Sequence, residues 1–278
     1  MTKIGFIGAG SMAEAMIAGL INGGVYKPNQ VIVANRTNTT RLEELATKYD
    51  IITTHNKKKL VSEASIIVLA MKPKDVKSGI DGIQEFITNQ LIVSVLAGIS
   101  IQTITNILRK EASIIRAMPN TSATIAKSAT AIAASEHVSM AQIKKCQSLF
   151  EAIGICKLVE EHQLDAVTGV SGSGPAYVYL LVEAMEKAAV EVGLDAHVAR
   201  ELIIQTLLGS AEMIESTKKL PSQLRKEVTS PNGTTEAGIS ILQEHGFEDA
   251  VIACIKRATE RSIELKTMFS EVLSTTEN

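Results

Sequence analysis

At 278 residues, 45% hydrophobic, 21% charged and 3% aromatic, the chain has the composition of a globular protein with no disordered bias, and its length points to two modest domains. A formal net charge of -2, with no basic run beyond a Lys57-Lys58-Lys59 triplet that reads as a solvated turn, removes the electrostatic case for binding nucleic acid or an anionic membrane. The start lacks the charged and apolar regions of a signal peptide, no apolar run reaches membrane-spanning length, and Cys146, Cys156 and Cys254 have no metal-ligand spacing and cannot all pair, which together suit a reducing cytoplasm.

Residues 3–7 form a short apolar strand, followed by Gly8-Ala9-Gly10-Ser11-Met12-Ala13 and an Ala/Ile/Leu-rich helical pattern to about Ile21. This is G-x-G-x-x-A in the strand-turn-helix context of a dinucleotide site. Gly8 permits the tight turn, Gly10 lets a pyrophosphate approach the backbone, and Ala13 is small enough for close helix-to-strand packing. Residues 31–34 read as the second strand. Asn35-Arg36-Thr37 follow, where an NAD site usually carries an acid for the ribose hydroxyls. With that acid missing, Arg36 can set its guanidinium against a 2'-phosphate, with Asn35 and Thr37 as neutral donors, so the sequence favours NADPH over NADH. A charge-assisted bond of this kind contributes about 1.5–3 kcal/mol, enough for a preference of roughly tenfold or more. A surface arginine at a strand end is the competing reading.

A strand at 51–54 ends in His55-Asn56, and one at 65–70 runs into Met71-Lys72-Pro73. A strand at 92–96 ends at Ala97-Gly98, and one at 113–117 leads to Met118-Pro119-Asn120-Thr121. Ligands of a doubly wound sheet sit outside the carboxyl ends of its strands. Asn56, Ala70, Met71, Lys72, Pro73, Ala97, Gly98 and Asn120 are therefore candidate cofactor contacts alongside Gly8 to Met12. Lys72 can equally serve to shape the turn before Pro73. Strands at 129–134 and 154–159, flanking a helix at 139–151, complete the sheet. The alternation makes residues 1–160 an α/β Rossmann domain.

From Gln163 onward the pattern is helical without strands, so residues 161–278 read as an all-α domain. Ser171-Gly172-Ser173-Gly174-Pro175 is a small-residue elbow, with Pro175 where a first helical position tolerates it. The helix at 176–192 is apolar over most of its circumference near its start, through Tyr177, Val178, Tyr179, Leu181 and Val182. A helix of that kind must be buried, and a domain of about a hundred residues has few ways to do so alone. A homodimer through the helical domain follows as an expectation. Amphipathic helices are expected at 195–215 and 247–268. Between them, Val228-Thr229-Ser230-Pro231-Asn232-Gly233 runs straight into an apolar-periodic helix carrying Ala237, Ile239 and Leu242. Thr234 or Thr235 can cap that helix, and its free N–H groups and positive dipole end would suit a small carboxylate. The bland alternative is an ordinary capped loop.

Tandem Rossmann and helical domains also occur in 3-hydroxyacid dehydrogenases, which would place a catalytic lysine at Val178 and an asparagine at Val182; neither is present. His55, His137, His162, His197 and His245 show no ligand spacing and read as structural, with no metal expected. The stretch from Pro221 through Leu224, Val228-Thr229-Ser230, Asn232-Gly233, Thr235, Gly238, Ile239 and Leu242 to Gln243 resembles the signature of the pyrroline-5-carboxylate reductase family. The resemblance extends to Gly8-Ala9-Gly10-Ser11-Met12, Lys72-Pro73, Met118-Pro119-Asn120-Thr121 and Ser171 to Tyr177, and so covers the whole chain. It implies NAD(P)H-dependent reduction of 1-pyrroline-5-carboxylate to L-proline, the final step of proline biosynthesis. It also implies a substrate-carboxylate site made by Ser230, Gly233, Thr234 and Thr235, with the Thr235 hydroxyl near the imine nitrogen as the catalytic group. One departure is Asn232, where many relatives have glycine. The coenzyme is expected to be NADPH with NADH as the alternative, and a larger ring of dimers is left open. A nucleotide-binding regulator or scaffold without turnover is the reading from another class, and the substrate signature argues against it.

Overall fold

The computed structural model describes residues 3–275. Its strands form where short apolar runs are long enough to cross a sheet and too short for a helix. In chain order these are β1 (Lys3–Ile7), β2 (Val31–Ala34), β3 (Ile52–Thr54), β4 (Ala64–Leu69), β5 (Leu91–Ser94), β6 (Ile114–Met118), β7 (Ser128–Ala134) and β8 (Gly154–Leu158). They make one eight-stranded sheet in the order β3-β2-β1-β4-β5-β6-β7-β8. The pairs from β3 across to β6 are parallel, β6 and β7 are antiparallel, and β7 and β8 are parallel. The doubly wound expectation holds over the first six strands. The reversal at β7 follows from its short connection, a tight turn over Thr121–Ile125 that leaves no room for a crossover helix.

The connecting helices are α1 (Ser11–Asn22), α2 (Thr39–Tyr49), α3 (Lys57–Glu63), α4 (Val76–Ile80), α5 (Ile101–Leu108) and α6 (Met140–Glu151). They cover both faces of the sheet, which is why its central strands are apolar at successive positions. One core joins Ile4, Phe6, Val33, Ile66 and Val68 to Met16, Leu20 and Leu45. The other joins Ile7, Ile32, Ile67 and Leu69 to Leu60, Val76, Ile80 and Ile104. Because β1 lies between β2 and β4, successive connections leave it in opposite directions. A crevice therefore opens beyond its carboxyl end.

After β8 come α7 (Leu164–Val167), a π-helical turn over Thr168–Gly172, α8 (Gly174–Glu191), α9 (Ala196–Thr217), α10 (Pro221–Glu227), α11 (Thr234–Glu244) and α12 (Phe247–Thr275). By contact the chain divides into two compact units: everything up to Ser173 together with the segment from Lys256 onward, and Gly174–Ile255. The first unit thus includes the later part of α12, which runs on past the expected end at Met268. That extension has a packing reason, since Phe269 and Leu273 lie against the core that holds Leu96, Ile99 and Ile104. It also has a polar anchor. The buried carboxylate of Asp165 accepts hydrogen bonds from Ser262 Oγ at 2.8 Å and from Lys266 Nζ, and the buried Arg116 lies 4.0 Å from it.

In the second unit α8 packs along α9, with Arg200 Nε donating to Glu186 Oε1 at 2.6 Å. Sequence patterning marks the start of α8 for burial, yet Val178, Tyr179 and Leu180 stand exposed in the single chain, as do Leu202, Ile204 and Leu208 of α9. Of the large core residues, only Ile203 is buried in this unit.

Candidate active site

The turn from β1 into α1 is built for close approach. Gly8 adopts φ +112°, and a Cβ there would lie 2.5 Å from the carbonyl carbon and oxygen of Ala70, so no other residue fits. Gly10 differs in kind. Its φ of -76° suits any residue, and a Cβ would meet nothing nearer than Ala70 O at 3.9 Å. The space it leaves is therefore outside the protein, as a pyrophosphate lying on the backbone requires. Gly10 is also the N-cap of α1 and supplies no side-chain acceptor, so the first-turn N–H groups stay available to an anion.

Around this turn lies a cavity of about 780 Å³ lined by Gly8, Ala9, Gly10, Ser11, Met12, Asn35, Arg36, Ala70, Met71, Lys72 and Pro73, among others. A second cavity of about 290 Å³ adjoins it and shares Gly8, Asn35, Arg36 and Met71, adding Thr37, His55 and Lys57. Twelve of the sixteen sequence-derived cofactor residues thus converge on two connected hollows. The other four do not line them. Asn56 Oδ1 accepts from Lys59 N at 3.1 Å and caps α3. Gly98, beside Ala97, lies under the Phe269 ring. Asn120 is buried, donating from Nδ2 to Ser171 O at 3.0 Å and accepting from Ser122 N at 3.2 Å.

Sequence reasoning missed four charged or titratable residues of these walls. Arg41 donates from Nε to the carbonyl of Ala9 at 3.0 Å, fixing the glycine turn, and its guanidinium pairs with Glu14 and Glu44. Glu14 also accepts from Lys48 Nζ at 2.9 Å and Tyr49 OH at 3.0 Å. Hydrogen bonds from Arg41 and then Lys48 hold its carboxyl down at about 2, against the opposing pull of burial. His55, read from sequence as structural, donates from Nδ1 to Asn35 O at 2.8 Å and has Nε2 3.2 Å from Thr39 Oγ1. Lys57 corrects the reading of its triplet as a solvated turn: the three lysines begin α3, and Lys57 donates into the cavity wall, to Ser78 O at 2.6 Å and Gly79 O at 3.3 Å. Asp75 lines both hollows. The available signal was topological, since His55 and Lys57 follow the strand that pairs with the one preceding Arg36.

The second unit carries the polar loop before α11. Gly233 N donates to Ser230 O at 3.0 Å, closing a turn in which Asn232 takes φ +58°. That left-handed conformation favours Asn or Gly, so an asparagine suits this turn. A Cβ on Gly233 would come within 2.5 Å of Ser230 Oγ, so the glycine lets the serine hydroxyl lie over the helix start. The expected cap by Thr234 or Thr235 is not what forms. Gly233 is the N-cap and contributes no side-chain bond, while Thr234 and Thr235 are the first two helical residues. The first intrahelical bond runs from Ala237 N to Gly233 O at 3.2 Å, which leaves the N–H groups of Thr234, Thr235 and Glu236 without intrahelical acceptors. Glu236 turns its carboxylate back to accept from Asn232 N at 2.6 Å, bracing the loop. Ser230, Thr234 and Thr235 therefore form one small donor cluster, with Gly233 leaving room for it.

Comparison with known proteins bears on both halves. A family model described as pyrroline-5-carboxylate reductase dimerisation matches residues 161–265, and one described as NADP oxidoreductase, coenzyme F420-dependent, matches residues 3–98. Pyrroline-5-carboxylate reductase 2 of Bacillus subtilis is 49% identical over 270 residues, 97% of each chain. The chain belongs to the pyrroline-5-carboxylate reductase family. Among solved structures, a pyrroline-5-carboxylate reductase from Coxiella burnetii superposes with a TM-score of 0.89 at 36% identity, covering 95% of this chain and 98% of that one. The Plasmodium falciparum pyrroline carboxylate reductase, solved with NADP bound, gives 0.85 at 28% identity, covering 95% and 98%. Within this family the helical residues left exposed on α8 and α9 fall inside the dimerisation region, which accounts for a helical unit with almost no core of its own. Among the described residues no helix is long and apolar enough to cross a membrane, and no cluster of His, Cys, Asp or Glu could hold a metal ion.

Proposed function

We propose that the chain reduces 1-pyrroline-5-carboxylate to L-proline with NADPH, completing proline biosynthesis. The observation that carries this reading is the 49% identity to a pyrroline-5-carboxylate reductase over 97% of both chains. The glycine turn and the uncapped start of α11 give it a physical basis. NADPH, when bound, supplies hydride. Gly8 to Met12 take its pyrophosphate, Arg36 with Asn35 and Thr37 reads the 2'-phosphate, and Ala70 to Pro73 form the adjoining wall. Asn56, Ala97, Gly98 and Asn120 are assigned to the same cofactor from their strand-exit positions.

The substrate carboxylate is held by the N–H groups of Thr234 and Thr235 and by Ser230 Oγ, with no arginine needed, because a helix start concentrates donors and positive potential. Gly233 keeps that approach open. A protonated cyclic imine is already electrophilic, so positioning matters more than a strong acid or base. Thr235 Oγ1 orients the imine nitrogen. Residues 1–160 serve the coenzyme and residues 161–278 the substrate and the homodimer, with a ring of dimers as a further step of assembly. The cytoplasm is the assigned compartment, in keeping with the free thiols Cys146, Cys156 and Cys254.

The deciding assay is loss of NADPH absorbance on adding pyrroline-5-carboxylate to purified protein, with L-proline identified as product. NADPH binding without any loss would instead favour a nucleotide-binding regulator.

A further inference from the structure

Arg36 lies two residues beyond β2 and Lys57 starts α3 just beyond β3, and the two strands pair in parallel with Ala34 opposite Thr54. Their exit loops therefore run side by side. His55 ties them together through its contact with Asn35 O at 2.8 Å. Both basic side chains line the 290 Å³ cavity on the coenzyme side of the sheet. Burial lowers the Lys57 pKa, the Asp81 carboxylate opposes that lowering, and the Arg36 charge adds to it.

Neither cation forms an ion pair with a carboxylate among the described residues, although Asp81 acts on Lys57 from a distance. Arg36 forms no hydrogen bond or ion pair among the described residues, in contrast to Arg41 nearby, which Glu14 and Glu44 occupy. Lys57 is held by the carbonyls of Ser78 and Gly79, which use two of its three ammonium donors. Asp75 is the carboxylate of the cavity wall, and among the described residues it forms no salt bridge with Arg36 or Lys57. Two cations without an ion-pair partner line one small cavity, an arrangement that favours an entering anion.

We infer that Lys57 is a second specificity determinant for the coenzyme, its ammonium meeting the same 2'-phosphate that Arg36 reads. This rests on the assignment of NADPH to the cleft. The Ser78 and Gly79 carbonyls act as a bracket that fixes the ammonium in place before the phosphate arrives, so little side-chain freedom is lost on binding.

The test is calorimetric binding of 2',5'-ADP and of 5'-ADP to the full chain, in parallel with Lys57→Met and Lys57→Gln. Glutamine keeps a donor for the bracket without the charge, so it serves if the methionine variant folds poorly. The expected result is about tenfold weaker binding of 2',5'-ADP by both variants. Binding of 5'-ADP should stay within about twofold, and Lys57→Arg should restore most of the difference. Equal weakening for both nucleotides would make Lys57 a tether between α3 and α4 and overturn the inference, as would unchanged binding of 2',5'-ADP. If the unaltered protein fails to distinguish the two nucleotides, the NADPH assignment falls with it. If Arg36→Ala alone abolishes discrimination while both lysine variants retain it, only the role of Lys57 is lost.

Discussion

Thr235 stands second in α11, half-buried, with no capping duty because Gly233 takes that position. Under the proposed function its hydroxyl meets the substrate, and its N–H is one of the donors at the helix start. Removing only the hydroxyl separates these roles. Thr235→Ala is expected to lower kcat by about tenfold or more, the loss of one hydrogen bond to a charged reacting group, while NADPH binding stays within about twofold. Equal kcat in the variant would remove the hydroxyl from the chemistry. The loop that carries it was legible in sequence because Pro231, Asn232 and Gly233 break regular structure by their own covalent geometry. The cap was not, since a threonine and a glycine can both precede a helix and the choice depends on where the Ser230 turn closes.

Single elements are held in place by charged clusters that cross between them. Glu14 on α1 binds Arg41, Lys48 and Tyr49 of α2, and through Arg41 the cluster reaches the Ala9 carbonyl in the glycine turn. Since the folded carboxyl is held at about 2 against an ordinary value of 4.5, its stabilisation is complete above pH 4.5 and is lost as pH falls through about 2. Glu14→Gln should therefore melt below the unaltered protein at pH 7, and the gap in Tm should close as pH falls from about 4.5 toward 2. A gap independent of pH would show that the carboxylate charge contributes nothing. The later part of α12 is fixed in a similar way by Asp165, Ser262 and Lys266, and by Phe269 in the core. Its amphipathic pattern fades near Met268, so the sequence reading ends the helix early. The missing information was a partner about a hundred residues away, invisible to any local window.

At the level of the whole molecule, the two units differ in how completely they bury themselves. The sheet unit has a core on each face, whereas residues 174–255 expose Leu202, Ile204 and Leu208 on one helix alone. Covering such side chains is worth roughly 1.5–3 kcal/mol each, which a dimer would recover. The protein is expected to run as a dimer or larger assembly at micromolar concentration by light scattering. Placing Glu at both Leu202 and Leu208 should shift it toward monomer, because an interface would have to bury two unpaired carboxylates. A monomeric unaltered protein would refute assembly through this region.

The Rossmann half, the helical half, the glycine turn and the loop before α11 were all legible in local sequence patterns. Each of these rests on local rules: strand or helix periodicity, φ preferences of glycine, and spacing within a dozen residues. Which basic side chains line the two hollows beyond β1 depends on tertiary contacts. Arg36, Arg41, His55 and Lys57 come from α2, α3 and the strand exits between them, and parallel pairing of β2 with β3 brings them together. The same contacts set Arg41 in ion pairs with Glu14 and Glu44 while Arg36 and Lys57 form none among the described residues, because charge pairing depends on distances that a linear pattern does not contain.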